Sequence, residues 1–449
     1  MKRWLVTILA FTLVFSLAAC GGGSNGNSGN TQTGNSETPA TDSGNTSGNA
    51  QTDDKKPVTI RVAWWGGQPR NDYTLEVIKM YEEQNPHVTI EPEYANWDDY
   101  WKKLAPQAAA NEMPDVLQMD LSYLTQYGGK NQLADLTPFL NNGIDVSNVP
   151  ESVVNNGQVN GKLYGFTAGV NALQVNYDPE MLKKIGVEKL DENWTWDDYK
   201  ELAIKAGEQG IYFDTGLKPE VFFGYYLRQH GQKLYSADGT QLGYDDDQLF
   251  VNFFGMTKEI ALKSGTPSPD FLAQVKGIED NPVVKEQAIT QWHWSNQYIG
   301  LQQVANRPLE MHPLPGPNLK DGLFLKPSMF LSIAESSKNK EEAAKFIDFF
   351  INNIEANKLI KGERGVPVSS KVKEALTPLL TPEEQKVFDF ISWAEQNSSQ
   401  MDPPDPVGAA EVMAIFKNYD ELLKFDKITP EEAAKKFRQE ANAVLAKNK

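Results

Sequence analysis

Few residues in this chain of 449 could perform covalent chemistry, whereas many could hold a sugar. One cysteine excludes a disulfide framework or thiolate cluster, and the four histidines (His87, His230, His293, His312) never fall at metal-ligand spacing. Beyond the N-terminal Gly/Ser tract no serine sits in a G-x-S-x-G elbow, and no phosphate-cradling loop with its Lys-Ser/Thr is present. Carboxylates are numerous, and a pair could do glycosidase work. Most of them (Asp98, Asp99, Asp197, Asp198) fall where a helix starts and an acid complements the dipole. Four segments mix flat rings with amides and charges: Trp65-Gly66-Gly67-Gln68 with Arg70, Asn96-Trp97 with Tyr100, Gln118 and Asp120 with Tyr123, and Trp292 to Asn296. A single Trp on a strand reads as core. Pyranose faces stack on indole and phenol rings, while their hydroxyl edges demand fixed polar partners, so four such segments together read as a carbohydrate cleft.

The elements that must position these residues alternate. Strands are expected at 58–64, 88–94 and 114–119, with helices between them, the first capped near Asn71 or Asp72 and the second spanning 97–110. This is the pattern of βαβ units and a largely parallel sheet whose ligands sit at the carboxyl ends of the strands. Residues 328–333 form another strand of that sheet, far along the chain, which implies a discontinuous domain. A second α/β unit lies between, with a capping-box-like Thr195…Asp198 pair and a strand at 288–292. The C-terminus is helical over 337–353, 381–397 and 409–425, and Pro430 opens the last helix.

With 43 basic against 60 acidic side chains the formal charge is −17, which repels polyanions and excludes nucleic-acid binding through phosphate neutralisation. The length corresponds to two or three domains. Met1-Lys2-Arg3, an apolar run to Ser16 and Leu17-Ala18-Ala19-Cys20 open the chain; the run is too short to span a bilayer. Leu-Ala-Ala-Cys resembles the lipobox of bacterial lipoproteins, which implies removal of residues 1–19 and diacylation of Cys20. Two acyl chains suffice for stable anchoring to the outer face of the membrane. Residues 21–56 are mostly Gly, Ser, Asn and Thr, a flexible tether reaching roughly 30–36 Å.

Residues 57–449 resemble the family 1 extracellular solute-binding proteins of ABC importers, with a maltose-binding-protein-like fold. The likeness rests on Trp292-His293-Trp294-Ser295-Asn296, on Leu325-Lys326-Pro327 before the returning strand, on Pro114-Asp115-Val116, and on 164–173 as the first crossing between lobes. It implies a type II periplasmic-binding-protein architecture: two discontinuous α/β lobes, 57–167 with 323–377 and 168–322 with 378–449, around a cleft and hinge. It further implies Trp292 as a stacking platform, Asn171, Phe223, Trp294, Ser295 and Asn296 as lining, and no catalytic residue, metal or cofactor. The partners implied are two permease subunits and a cytoplasmic ATPase, with the binding protein a monomer.

Segments 63–70, 95–104, 361–368 and 402–404 are also similar to those of binding lipoproteins assigned to uptake of rhamnogalacturonan-derived oligosaccharides. That implies an unsaturated galacturonyl–rhamnose ligand, and Arg70, Lys326 and Arg364 are then expected at its carboxylate. A neutral plant oligosaccharide, or an extracellular glycosidase or lyase, stays open as an alternative.

Overall fold

The computed structural model describes residues 56–275 and 277–448. The expected leader, the lipidated Cys20 and the tether as far as residue 55 lie outside the described residues.

The strands that build the two lobes are β1 (Val58–Trp65), β2 (Val88–Ala95), β3 (Val116–Met119), β4 (Phe166–Asn171), β5 (Leu173–Tyr177), β6 (Thr290–Trp294), β7 (Glu310–His312) and β8 (Lys326–Ile333). The first sheet has the order β2-β1-β3-β8-β4. β1 is parallel to both β2 and β3, while β8 lies antiparallel between β3 and β4. β3 and the second half of β1, Val62 to Trp65, are buried on both faces; β2, at the edge, alternates over its first four residues and tolerates Pro92. The second sheet is β6-β5-β7, antiparallel throughout. The architecture is two-lobed mixed α/β, with β8 returning to the first lobe before the last helices of the chain pack on the second.

Three helices follow the parallel strands: α1 (Gln68–Gln84), α2 (Trp97–Ala110) and α3 (Leu121–Gly129). Gly67 and Pro69 start α1 earlier than the cap expected at Asn71 or Asp72, since proline is tolerated in the first turn. Asn71 is buried instead and accepts a hydrogen bond from Trp64 Nε1 at 2.9 Å. Asp115 stitches the lobe: one carboxylate oxygen accepts the Arg61 amide at 2.9 Å and the other the Ser337 hydroxyl.

The second lobe carries α4 (Trp196–Glu208), α5 (Pro219–Gln229), α6 (Asp247–Leu262) and α7 (Gln297–Ala305). After α8 (Lys340–Asn352) on the first lobe come α9 (Pro382–Gln396), α10 (Ala409–Lys424) and α11 (Pro430–Leu445). α4 and α9 both begin with complete capping boxes, Thr195 with Asp198 and Thr381 with Glu384. Phe223 on α5 packs against Tyr244, Phe250, Phe253, Phe254 and Phe416 with ring centroids 5.4–5.6 Å apart.

The chain crosses between the sheets at Ala172, the one residue between β4 and β5. The lobe boundary expected at 167 therefore falls inside β4, which keeps pairing with β8 as far as Asn171 opposite Lys326. Ser295 clamps this joint: its amide donates to Ala172 O at 2.9 Å and its hydroxyl accepts the Ala172 amide at 3.2 Å.

Candidate ligand-binding site

β1, β2 and β3 end at Trp65, Ala95 and Met119, and their carboxyl ends carry the three aromatic segments. Trp65 lies buried under a set of rings: Trp97 at 5.0 Å, Tyr100 at 5.4 Å and Trp101 at 5.7 Å. Tyr100 is fixed by donating to Gln118 O at 2.6 Å, and Trp101 stacks on Tyr123 at 3.8 Å. Two members of this set reach water. Trp97 is 41% exposed and Tyr123 is half-buried. Asn96 caps α2 through the Asp99 amide at 3.0 Å, and Asp120 caps α3 through the Ser122 amide at 2.9 Å, so both polar groups are held at the rim. Trp65, Tyr100 and Gln118 make a floor; Trp97 and Tyr123 make the shelf above it.

Arg70 and Arg364 are not free for a ligand. Arg70 forks onto Glu363, with Nη2 to Oε1 at 2.7 Å and Nε to Oε2 at 3.0 Å, and its Nη1 donates to Trp65 O at 3.1 Å. Gly66 makes room for this bend, since a Cβ there would lie 2.5 Å from Arg70 Cδ. Arg364 is 2% exposed, donates to Tyr73 OH and Thr74 Oγ1 at 2.9 Å each, bonds Gln118 Oε1, and lies over the Phe350 ring at 4.9 Å. Burial pushes its pKa down, so it is a desolvated cation held by neutral partners and rings. The carboxylate role expected of Arg364 is corrected to lobe-internal bracing. Gly67 and Gln68 are exposed at the start of α1, where Gln68 donates to Asp72 at 2.6 Å.

On the second lobe, Trp292 is 3% exposed, surrounded by Trp194, Tyr199, Phe222 and Trp196, and its Nε1 donates to Thr290 Oγ1 at 2.9 Å. Phe223 is wholly buried. Both are core residues and not platforms, because the strand alternation and helix face that carry them point inward. Ser295 and Asn171 are buried at the joint, and Asn171 Oδ1 has no hydrogen-bond partner. Trp294 is half-buried with the Lys326 ammonium 4.9 Å from its ring centre and Phe324 edge-on at 5.8 Å; Asn296 is exposed at the start of α7.

Lys326, expected at a ligand carboxylate, is joined here by Lys218, His293 and Asp405, to which no such role was given. Lys218, immediately before α5, lies with Nζ 3.4 Å from His293 Nε2. Burial, then the charges of Lys218 and Lys326, push His293 down to about 4. Burial lowers Lys326 as well, opposed by Asp120 and Asp405. Asp405 is raised by burial, against the pull of Lys326. These groups come from both lobes and from the 397–408 loop, which Arg228 holds in place through Asp402 at 2.8 Å, Ser399 at 2.7 Å and Gln400 O at 2.8 Å. Asp120, which caps the helix carrying Tyr123, acts on Lys326 and so links the aromatic shelf to this charged group.

A two-lobed α/β fold whose sheets are joined by a one-residue crossing, with rings and polar groups gathered at strand ends, is the architecture of a substrate-binding protein. The chain belongs to the bacterial extracellular solute-binding proteins, a family that matches residues 76–383. It is similar to a family 1 extracellular solute-binding protein from Alicyclobacillus acidocaldarius, at 29% identity, 88% of this chain, 100% of that one and a TM-score of 0.76. The fold is also that of a periplasmic oligogalacturonide-binding protein from Yersinia enterocolitica, at 22% identity, 87% and 100% coverage and a TM-score of 0.75. An arabinooligosaccharide-binding protein of Bacillus subtilis is 33% identical over 160 residues, 34% of this chain and 36% of that protein. The family consists of binding proteins of ABC transporters, not enzymes, and is extracellular.

Proposed function

We propose that this protein captures acidic oligosaccharides released from pectin, such as unsaturated galacturonyl–rhamnose, and delivers them to an ABC importer. The observation that carries the reading is the exposed Trp97 indole, set beside Tyr123 on a buried ring floor whose rim residue Asp120 acts on the Lys326 ammonium. The shelf offers flat apolar contact to sugar faces, while the ammonium groups offer charge-assisted hydrogen bonds to a uronate. The oligogalacturonide-binding protein of the same fold supports this class of ligand. Ligand bridging both lobes binds the closed arrangement more tightly and shifts the population toward it. The closed form then docks, as a monomer tethered through diacylated Cys20, on two permease subunits driven by a cytoplasmic ATPase.

A neutral plant oligosaccharide is the second reading, favoured by Asp120 and Asp405, whose carboxylates suit sugar hydroxyls. Calorimetric titration of residues 57–449 with unsaturated galacturonyl–rhamnose, digalacturonate, arabinotriose and maltose decides between the two. One-to-one binding of the acidic sugars alone is expected; tight binding of arabinotriose alone would overturn the acidic assignment.

A further inference from the structure

We infer that Lys218 Nζ, His293 Nε2 and Lys326 Nζ form the seat of a ligand carboxylate, the feature that distinguishes a uronate from a neutral sugar in this cleft. The inference rests on the pectic reading above and deepens it to named donors.

The three groups come from separate elements: Lys218 precedes α5, His293 lies within β6, and Lys326 opens β8. Folding brings them together although the two ammonium groups repel each other. His293 Nδ1 accepts the Trp294 amide at 2.8 Å, which places the proton of the neutral ring on Nε2. Nε2–H and the Lys218 ammonium then face each other at 3.4 Å as two donors, and neither can accept from the other. Such a pair is complete only when an acceptor sits between them.

Lys326 adds a third donor and is held by the Trp294 ring in place of a carboxylate. Among the described residues no ion pair engages Lys218 or Lys326, whereas Arg70, Arg228 and Lys233 each have a carboxylate within 3.0 Å. The acids that act on Lys326 do so from further away. Asp120 commits one carboxylate oxygen, Oδ1, to both the amide and the hydroxyl of Ser122 and reaches Lys326 only through its charge, while burial favours the neutral form of Asp405. Burial first, and then the charges of Lys218 and Lys326, depress the pKa of His293; an anion would relieve the charge part of that shift. A planar carboxylate with two acceptor oxygens fits donors on two sides; an ester or a hydroxyl supplies neither the charge nor the second strong acceptor.

The test compares digalacturonate with its dimethyl ester on wild type, Lys218→Met and His293→Gln, with thermal melts confirming that each variant folds. Wild type should prefer the acid by about tenfold or more, the scale of a lost charge-assisted hydrogen bond. Each variant should lose that preference while its affinity for the ester stays within about twofold, as for a change that removes only the charged contact. Equal losses on acid and ester, or an undiminished preference, overturn the seat. If wild type binds neither sugar, the pectic reading fails and the seat is decided by acetate alone. Acetate that raises the His293 pKa by NMR in wild type and not in Lys218→Met upholds it, and no shift in wild type refutes it.

Discussion

The Lys326 ammonium lies 4.9 Å from the centre of the Trp294 ring, which ties the first residue of the strand re-entering lobe one to the last residue of a strand in lobe two. The contact spans the hinge and keeps a desolvated cation in the cleft without a carboxylate beside it. Trp294→Ala should weaken acidic-sugar binding by about 0.5–2 kcal/mol, the range of a cation–π contact. Calorimetry at low and high salt checks this; affinity equal to wild type at both would remove Trp294 from the cation's support.

Trp97 and Trp292 separate binding from stability. Trp97→Ala should cost about 1 kcal/mol or more of sugar affinity and leave the melting midpoint nearly unchanged, because the ring is 41% exposed. Trp292→Ala opens a cavity among Trp194, Tyr199 and Phe222 and should destabilise by about 3–5 kcal/mol. Paired titrations and denaturant curves would show the two effects reversed if Trp292 were the sugar platform.

Removing Arg364 should damage the lobe and not ligand selectivity. Arg364→Ala leaves Gln118 Oε1, itself fully buried, without its partner, and empties space beside Phe350. A loss of about 3 kcal/mol or more is expected from urea unfolding. Arg70→Ala should lower affinity for digalacturonate and its ester equally, since Glu363 already occupies the guanidinium. A loss confined to the acid would return Arg70 to the ligand.

His293 gives the site a pH signature. Its folded pKa, about 4, lies below the ordinary 6.5, so between these values the unfolded chain binds the proton that the folded protein refuses. Stability from this residue is complete above pH 6.5 and is lost as pH falls toward 4. The groups acting on it are Lys218 and Lys326, with Asp120 and Asp405 acting in turn on Lys326. Thermal midpoints of wild type should fall more steeply on acidification than those of His293→Gln; parallel curves would remove the effect. On the proposed seat a uronate would raise the histidine's pKa, so its binding should take up protons below neutrality, read from calorimetry in buffers of different ionisation enthalpy.

Anchoring is testable in cells. On the proposed diacylation of Cys20, Cys20→Ser should release the protein from the membrane fraction into the medium with sugar binding intact. Retention of the variant on membranes would assign the anchor elsewhere.

Much of the frame was legible because its causes are local. Apolar runs at 58–64 and 114–119, the Thr195…Asp198 box and Pro430 each act over a few residues, and each appears in the fold close to its expected place. The charged part of the site was not, because it depends on partners that only folding brings together. Arg70 and Glu363 stand 293 positions apart, and nothing near Arg70 announces that claim on it. Lys218 meets His293 across 75 positions. Trp292 was misplaced for a subtler reason: the strand expected over 288–292 is Thr290–Trp294, with its end two residues later. That shift buries Trp292 and leaves its neighbours His293 and Trp294 at the opening.

Ala172, alone between β4 and β5, gives the joint no slack. One extra residue there could not be absorbed as a longer loop, because strands continue on both sides and side chains alternate with a period of two. Every residue from Leu173 to Tyr177 would change faces, setting Gln174 and Asn176 where Leu173 and Val175 now pack. Ser295 would lose its grip on Ala172 at the same moment. Insertions and deletions that alter reach or ligand size must therefore accumulate in surface turns, while this point of the chain holds its length.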